Sequence, residues 1–146
     1  DVLGSRGLGD VYKRQGIQCL VFLKENCNQN VSFEKFFSSI KYLDIEYSKT
    51  LWIHLTPLLK QPFFVKEETQ RYITVSISKC IDIYEDLASQ GERYYLDGLY
   101  NCVEALHQYY KSVKTTGTGE TDELKQCVEK ARKIKNYEIA NIWSYE

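Results

Sequence analysis

The chain has 146 residues, with 19 Lys and Arg against 20 Asp and Glu and a formal charge of −1. So balanced a surface creates no long-range field to gather nucleic acid or an anionic membrane. Its 43% apolar residues and only two Pro argue against disorder, and its longest strictly apolar run, Cys19–Leu23, is far shorter than the ~20 residues of a membrane span.

Residues 5–15 read SRGLGDVYKRQ. This run resembles the in-frame translation of a transposase-type sequencing-library adapter. On that resemblance, residues 1–15 are a non-native scar, expected to be disordered, and are set aside before the fold is read. Gly4, Gly7 and Gly9 imitate a phosphate-binding loop, but such a loop needs a preceding strand, and nothing precedes this one. The chain contains no Met. The natural start is therefore expected to be missing, and residues 16–146 are read as a single α-helical domain, or a fragment of one, from a larger protein. With Arg6, Lys13, Arg14, Asp1 and Asp10 removed, 16 basic residues face 18 acidic ones, so the charge balance survives.

Ile17–Glu25 is expected to be helical by context. Phe33, Phe36, Phe37, Ile40, Leu43, Tyr47, Leu51, Leu55 and Leu58 recur at three- and four-residue steps, which predicts one helix with an apolar stripe. Ser32 is placed to cap it. Pro57 should kink it, and Pro62 should close it. Tyr72, Ile73, Ser76, Ile77, Cys80, Ile81, Tyr84, Leu87 and Ala88 predict a second helix, ended by Gly91 in the left-handed conformation.

A third helix is expected from Tyr95, Leu96, Leu99, Cys102, Val103, Leu106, Tyr110 and Val113, with Lys111 and Lys114 near its C-terminal carbonyls. Residues 115–121, TTGTGET, read as a flexible linker. Thr121 can then cap a fourth helix with Asp122 and Glu123 in its first turn, burying Leu124, Cys127, Val128 and Ala131. A break at Asn136 precedes Ile139, Ile142 and Trp143. Sustained two-residue alternation is absent. The fold class is all-α: an antiparallel helical bundle or stacked helical hairpins of about four to five helices. The second and third helices resemble tetratricopeptide hairpins in architecture only, since no second 34-residue unit follows.

Candidate chemistry is sparse. Glu104-Ala-Leu-His107 has the Glu-x-x-His spacing that helical di-iron bundles use. Such sites need a second copy and further carboxylates, so Glu104 and His107 are weak metal candidates, with Glu104 facing water and His107 flanking the apolar stripe. His54 has no accompanying nucleophile. Asp82, Glu85 and Asp86 read as a solvated acidic face. Lys125, Lys130, Arg132, Lys133 and Lys135 form a basic patch interrupted by Glu123 and Glu129, too narrow for nucleic acid, with Glu129 and Lys133 spaced to pair. Cys19, Cys27, Cys80, Cys102 and Cys127 contain no Cys-x-x-Cys pair, which points to free buried thiols and a reducing, cytoplasmic setting rather than a zinc site.

The unusual feature is Tyr. Tyr94, Tyr95, Tyr100, Tyr109 and Tyr110 crowd into one helix. Tyr95 and Tyr110 fit its core stripe, while Tyr94, Tyr100 and Tyr109 fall nearer its margins or outside, where Tyr either packs its ring at the edge of the same unit or anchors an interface with a partner. The expectation is a helical interaction or scaffold region of a larger intracellular protein, with no catalytic residues and no cofactor, and with protein as partner (another domain of the same chain or a separate molecule). The alternative is a helical accessory part of an enzyme whose active site lies mostly upstream.

Overall fold

The computed structural model describes residues 62–91 and 93–145, together with Trp52, Ile53, Thr56, Pro57, Leu59 and Lys60. The expected scar at 1–15, the segment 17–25, Ser32, all nine residues of the 33–58 stripe and His54 lie outside the described residues, as do Cys19 and Cys27. Trp52 and Leu59 are fully buried. The Thr56 hydroxyl donates to the Trp52 carbonyl over 2.6 Å, as in a helical turn. Pro62 opens a short 3-10 turn, Pro62–Val65, where its missing N–H costs nothing.

Helix α1 spans Glu67–Ala88. Glu67 and Glu68 place negative charge on its exposed N-terminal amides. Ile73, Ile77, Cys80, Ile81 and Tyr84 bury one face; each large apolar side chain there contributes about 1.5–3 kcal/mol. Gly91, at φ +90°, then reverses the chain, its N–H donating 3.0 Å to the Ala88 carbonyl. Helix α2, Arg93–Thr116, returns along α1, and the two make the most extensive contact among the described elements. Gly98 leaves room for the Tyr84 ring of α1. A methyl group on Gly98 would stand 2.6 Å from that ring.

Helix α2 ends at Thr116, so the first two residues of the expected 115–121 linker are helical. The rest is held at two points by Gln70 of α1, which has no exposed surface. The Gln70 side-chain amide donates to the Gly119 carbonyl over 3.1 Å and accepts from the Thr121 N–H over 2.6 Å. It also lies 3.4 Å from the Val65 carbonyl. Helix α3, Asp122–Arg132, starts on the expected cap, with the Thr121 hydroxyl accepting from the Leu124 N–H. Leu124, Cys127, Val128 and Ala131 are its buried side. The expected break at Asn136 is also present: its side chain caps the short helix α4, Tyr137–Ile142, which continues into a 3-10 turn, Trp143–Tyr145.

The described residues contain four α-helices and no strand, so the architecture is all-α. α3 packs on α1 and α2, and α4 folds back onto α2. Helix α2 is thus covered by α1, α3, α4 and the turn at Pro62–Val65, so its buried arc is wider than one stripe. That wide arc corrects one tyrosine placement: Tyr109, expected at the margin, is fully buried. Tyr110, read as part of the core stripe, is partly buried and packs against the core, and Tyr95 is half-buried. No helix among the described residues is long and apolar enough to cross a membrane.

Candidate functional site

The five tyrosines of α2 separate by environment. The Tyr109 hydroxyl donates to the Phe64 carbonyl over 2.5 Å, and burial pushes its phenol far above the ordinary range. Expected at the helix margin, it is instead a core anchor tying α2 to the turn at Pro62–Val65. Tyr100 is exposed, as expected. Tyr94 belongs to α2 by its backbone, and its side chain lies outside the described set.

Tyr100 borders a shallow groove between α2 and α4 that also holds Glu104, His107, Lys111 and Asn141. Glu104 is half-buried and accepts from the Gln108 side chain over 3.0 Å. His107 was expected beside the core; it is inside it, with 3% of its surface exposed. The reason is α4 folding back: Trp143 meets the imidazole edge-on at 5.1 Å. Trp143 is also flanked by Arg132, whose guanidinium lies 5.0 Å from the ring centre. Among the described residues no three His, Cys, Asp or Glu side chains converge in a metal-binding group.

Cys80, Cys102 and Cys127 are free and buried, as expected for these three. They line the junction of α1, α2 and α3. Burial, reinforced by the neighbouring Cys80, raises the Cys102 thiol well above the ordinary range. Burial pushes Cys127 up to about 11, with Lys130 acting against it. Such thiols stay protonated and are poor nucleophiles. The Cys102 thiol is 3.8 Å from the Ile77 carbonyl, to which it donates.

A polar staple fixes α3 to α1. Lys130 donates to Asp82 Oδ1 at 2.7 Å, to the Ser78 hydroxyl at 2.5 Å and to the Ser78 carbonyl at 3.2 Å. Read along the chain, Asp82 belongs to an acidic surface and Lys130 to a basic one; the fold makes them partners. Their sequence separation of 48 residues leaves no local spacing that could reveal the pairing. The local Glu129–Lys133 pair is present at 3.4 Å.

A wider groove than the one beside Tyr100 holds none of the thiols, tyrosines or weak metal candidates, although Glu85, Lys133 and Lys135 of the acidic and basic surfaces stand around it. It is a groove of about 700 Å³ at the α1–α2 turn, facing the bend between α3 and α4. Ala88, Leu96, Leu99 and Ile134 contribute apolar surface, and Glu85, Arg93, Lys133 and Lys135 surround it. Arg93 reaches Glu138 of α4 at 3.2 Å, with both side chains at least half exposed. Beside the groove, directly after the lining residue Asn136, stands Tyr137 at 81% exposure. Sequence reading missed this site because its walls come from residues 85–99 and 133–136, which no periodicity connects. Comparison with known proteins finds no matching family model, curated protein or solved structure.

Proposed function

We propose that this helical unit is a protein-interaction module, part of a larger intracellular scaffold, and that the groove at the α1–α2 turn is its docking surface. The observation that carries this reading is the groove's construction: an apolar floor from Leu96, Leu99 and Ile134 inside a ring of charged side chains. That is the arrangement of a protein interface, with an apolar centre and a polar rim. Glu104, His107 and the three thiols serve packing on this reading, each engaged inside the fold rather than aimed at a common point.

Selection of a displayed random-peptide library on the full chain tests the proposal. Enriched peptides should lose binding to a Leu96→Lys variant, which puts a charge on the groove floor, and should keep binding to a Tyr100→Ala variant, one turn further along α2 in the separate groove against α4. Absence of enrichment, or peptides indifferent to Leu96→Lys, would overturn it.

A further inference from the structure

We infer that the groove at the α1–α2 turn receives Tyr137 and Glu138 from a second copy of this chain, forming a two-fold dimer. The inference rests on the interaction reading above and names the occupant. Three observations support it.

First, Tyr137 is by far the most exposed large apolar side chain among the described residues, at 81%, against 55% for Ile53 and 44% for Val75. A Tyr ring held on a short capped helix has only two side-chain torsions to immobilise. It is therefore an efficient anchor once a pocket covers it. A groove of about 700 Å³ has ample room for it.

Second, knob and socket share one edge. Asn136 lines the groove, and the next residue is the knob. A two-fold interface is made of one patch meeting its own copy, so a projecting side chain and its receptor must lie side by side near the axis. A knob on the far side of the unit would instead give an open chain of copies.

Third, the charges match. Glu138 follows Tyr137 and would enter a groove whose α3–α4 wall carries Lys133 and Lys135. Within one copy Glu138 contacts Arg93 at 3.2 Å, with the two side chains 50% and 73% exposed. A pair so open to solvent contributes little, and exchanging it for the equivalent pair across the axis costs little. The Tyr137 hydroxyl would meet the polar rim at Glu85 and Ser89.

Sedimentation equilibrium of the full chain, at concentrations up to the order of 100 µM, as befits a small interface, tests this. The wild type should self-associate reversibly. Tyr137→Ala should weaken the association by about tenfold or more, as for a central aromatic anchor. Leu96→Lys, which blocks the socket, should do the same, with Lys133→Glu/Lys135→Glu as a second socket variant should Leu96→Lys fail to fold. Mixing the knob-less and socket-blocked proteins should restore part of the association, because one knob and one socket remain intact. A wild type that stays monomeric, or association untouched by Tyr137→Ala, would overturn the inference. A monomeric wild type that still captures groove-binding peptides defeats self-docking alone and leaves the interaction module standing.

Discussion

Replacing Gln70 by Leu should be among the most damaging single changes that leave the hydrophobic core intact. Leu approximates the volume of the Gln side chain but removes its donor and its acceptor. The buried Thr121 N–H, now 2.6 Å from the amide oxygen, would lose its partner. A buried group left in this way costs about 1–3 kcal/mol. The Gly119 carbonyl, 3.1 Å from the amide nitrogen, belongs to an exposed residue that water can reach, so its loss costs about 0.5–1.5 kcal/mol. The Val65 carbonyl, at 3.4 Å, adds little. The sum is about 1.5–4.5 kcal/mol, a large share of the roughly 5–15 kcal/mol typical of a domain. Urea unfolding followed by circular dichroism reads it as a lower midpoint at an unchanged slope. Amide hydrogen exchange at Leu124 should rise as well, because Thr121 caps α3 only while Gln70 holds its backbone.

Gln70→Glu adds a sign to the test. The introduced carboxylate can still accept from Thr121, but it faces the Gly119 and Val65 carbonyls without a proton to donate. Protonation restores the donor, so burial and these carbonyls raise its folded-state pKa above the unfolded value. Its stabilising contribution is then present below the unfolded carboxyl pKa and lost as pH rises through the raised one. Relative to wild type, the variant should be less impaired at mildly acidic pH than at neutral pH. A cost below about 1 kcal/mol for Gln70→Leu, or the opposite pH trend for Gln70→Glu, would refute the assignment of Gln70 as the clamp of the α2–α3 connection.

Two further changes probe the packing. Gly98→Ala drives a methyl group to 2.6 Å from the buried Tyr84 ring, and overpacking costs of about 1–3 kcal/mol should exceed the ~1 kcal/mol gain in helix propensity; thermal unfolding should show net destabilisation, turning to stabilisation when tested in a Tyr84→Ala background. For Cys127, whose thiol is raised from 9.0 to about 11, stability is present below the unfolded thiol value and lost as pH rises through the folded one. Cys127→Ala should therefore flatten part of the loss in urea midpoint between pH 9 and pH 11 relative to wild type, by up to about 2–3 kcal/mol, and an unchanged difference across that window would contradict the burial argument.

Local signals in the chain carried the helices and their ends well. Thr121 and Asn136 cap because their short side chains reach an amide three residues on, and Gly91 turns because it alone lacks a Cβ to clash at positive φ. The apolar faces of α1 and α3 were legible for a similar reason, each following a three- and four-residue repeat, whereas the buried Thr69, Gln70 and Thr74 of α1 carry no such signal. Helix α2 was not legible in this way, because several elements cover it. A wheel drawn for one partner placed Tyr109 at the margin, whereas its hydroxyl reaches the turn at Pro62–Val65. The same limit hid His107, which is covered by Trp143 returning to it from 36 residues later. The candidate groove was illegible throughout. Its walls are assembled by the α1–α2 reversal and the Asn136 break, and its knob, Tyr137, looks along the chain like any other Tyr.

The return of Trp143 onto α2 has an experimental use. The chain contains only two Trp, and this one lies with its ring edge-on to an imidazole 5.1 Å away and a guanidinium over its face. In a Trp52→Phe background its emission becomes a single intrinsic optical probe of whether the final turn is seated. Stopped-flow fluorescence could then time the detachment of α4 separately from the melting of the α1–α2 hairpin, with no dye attached.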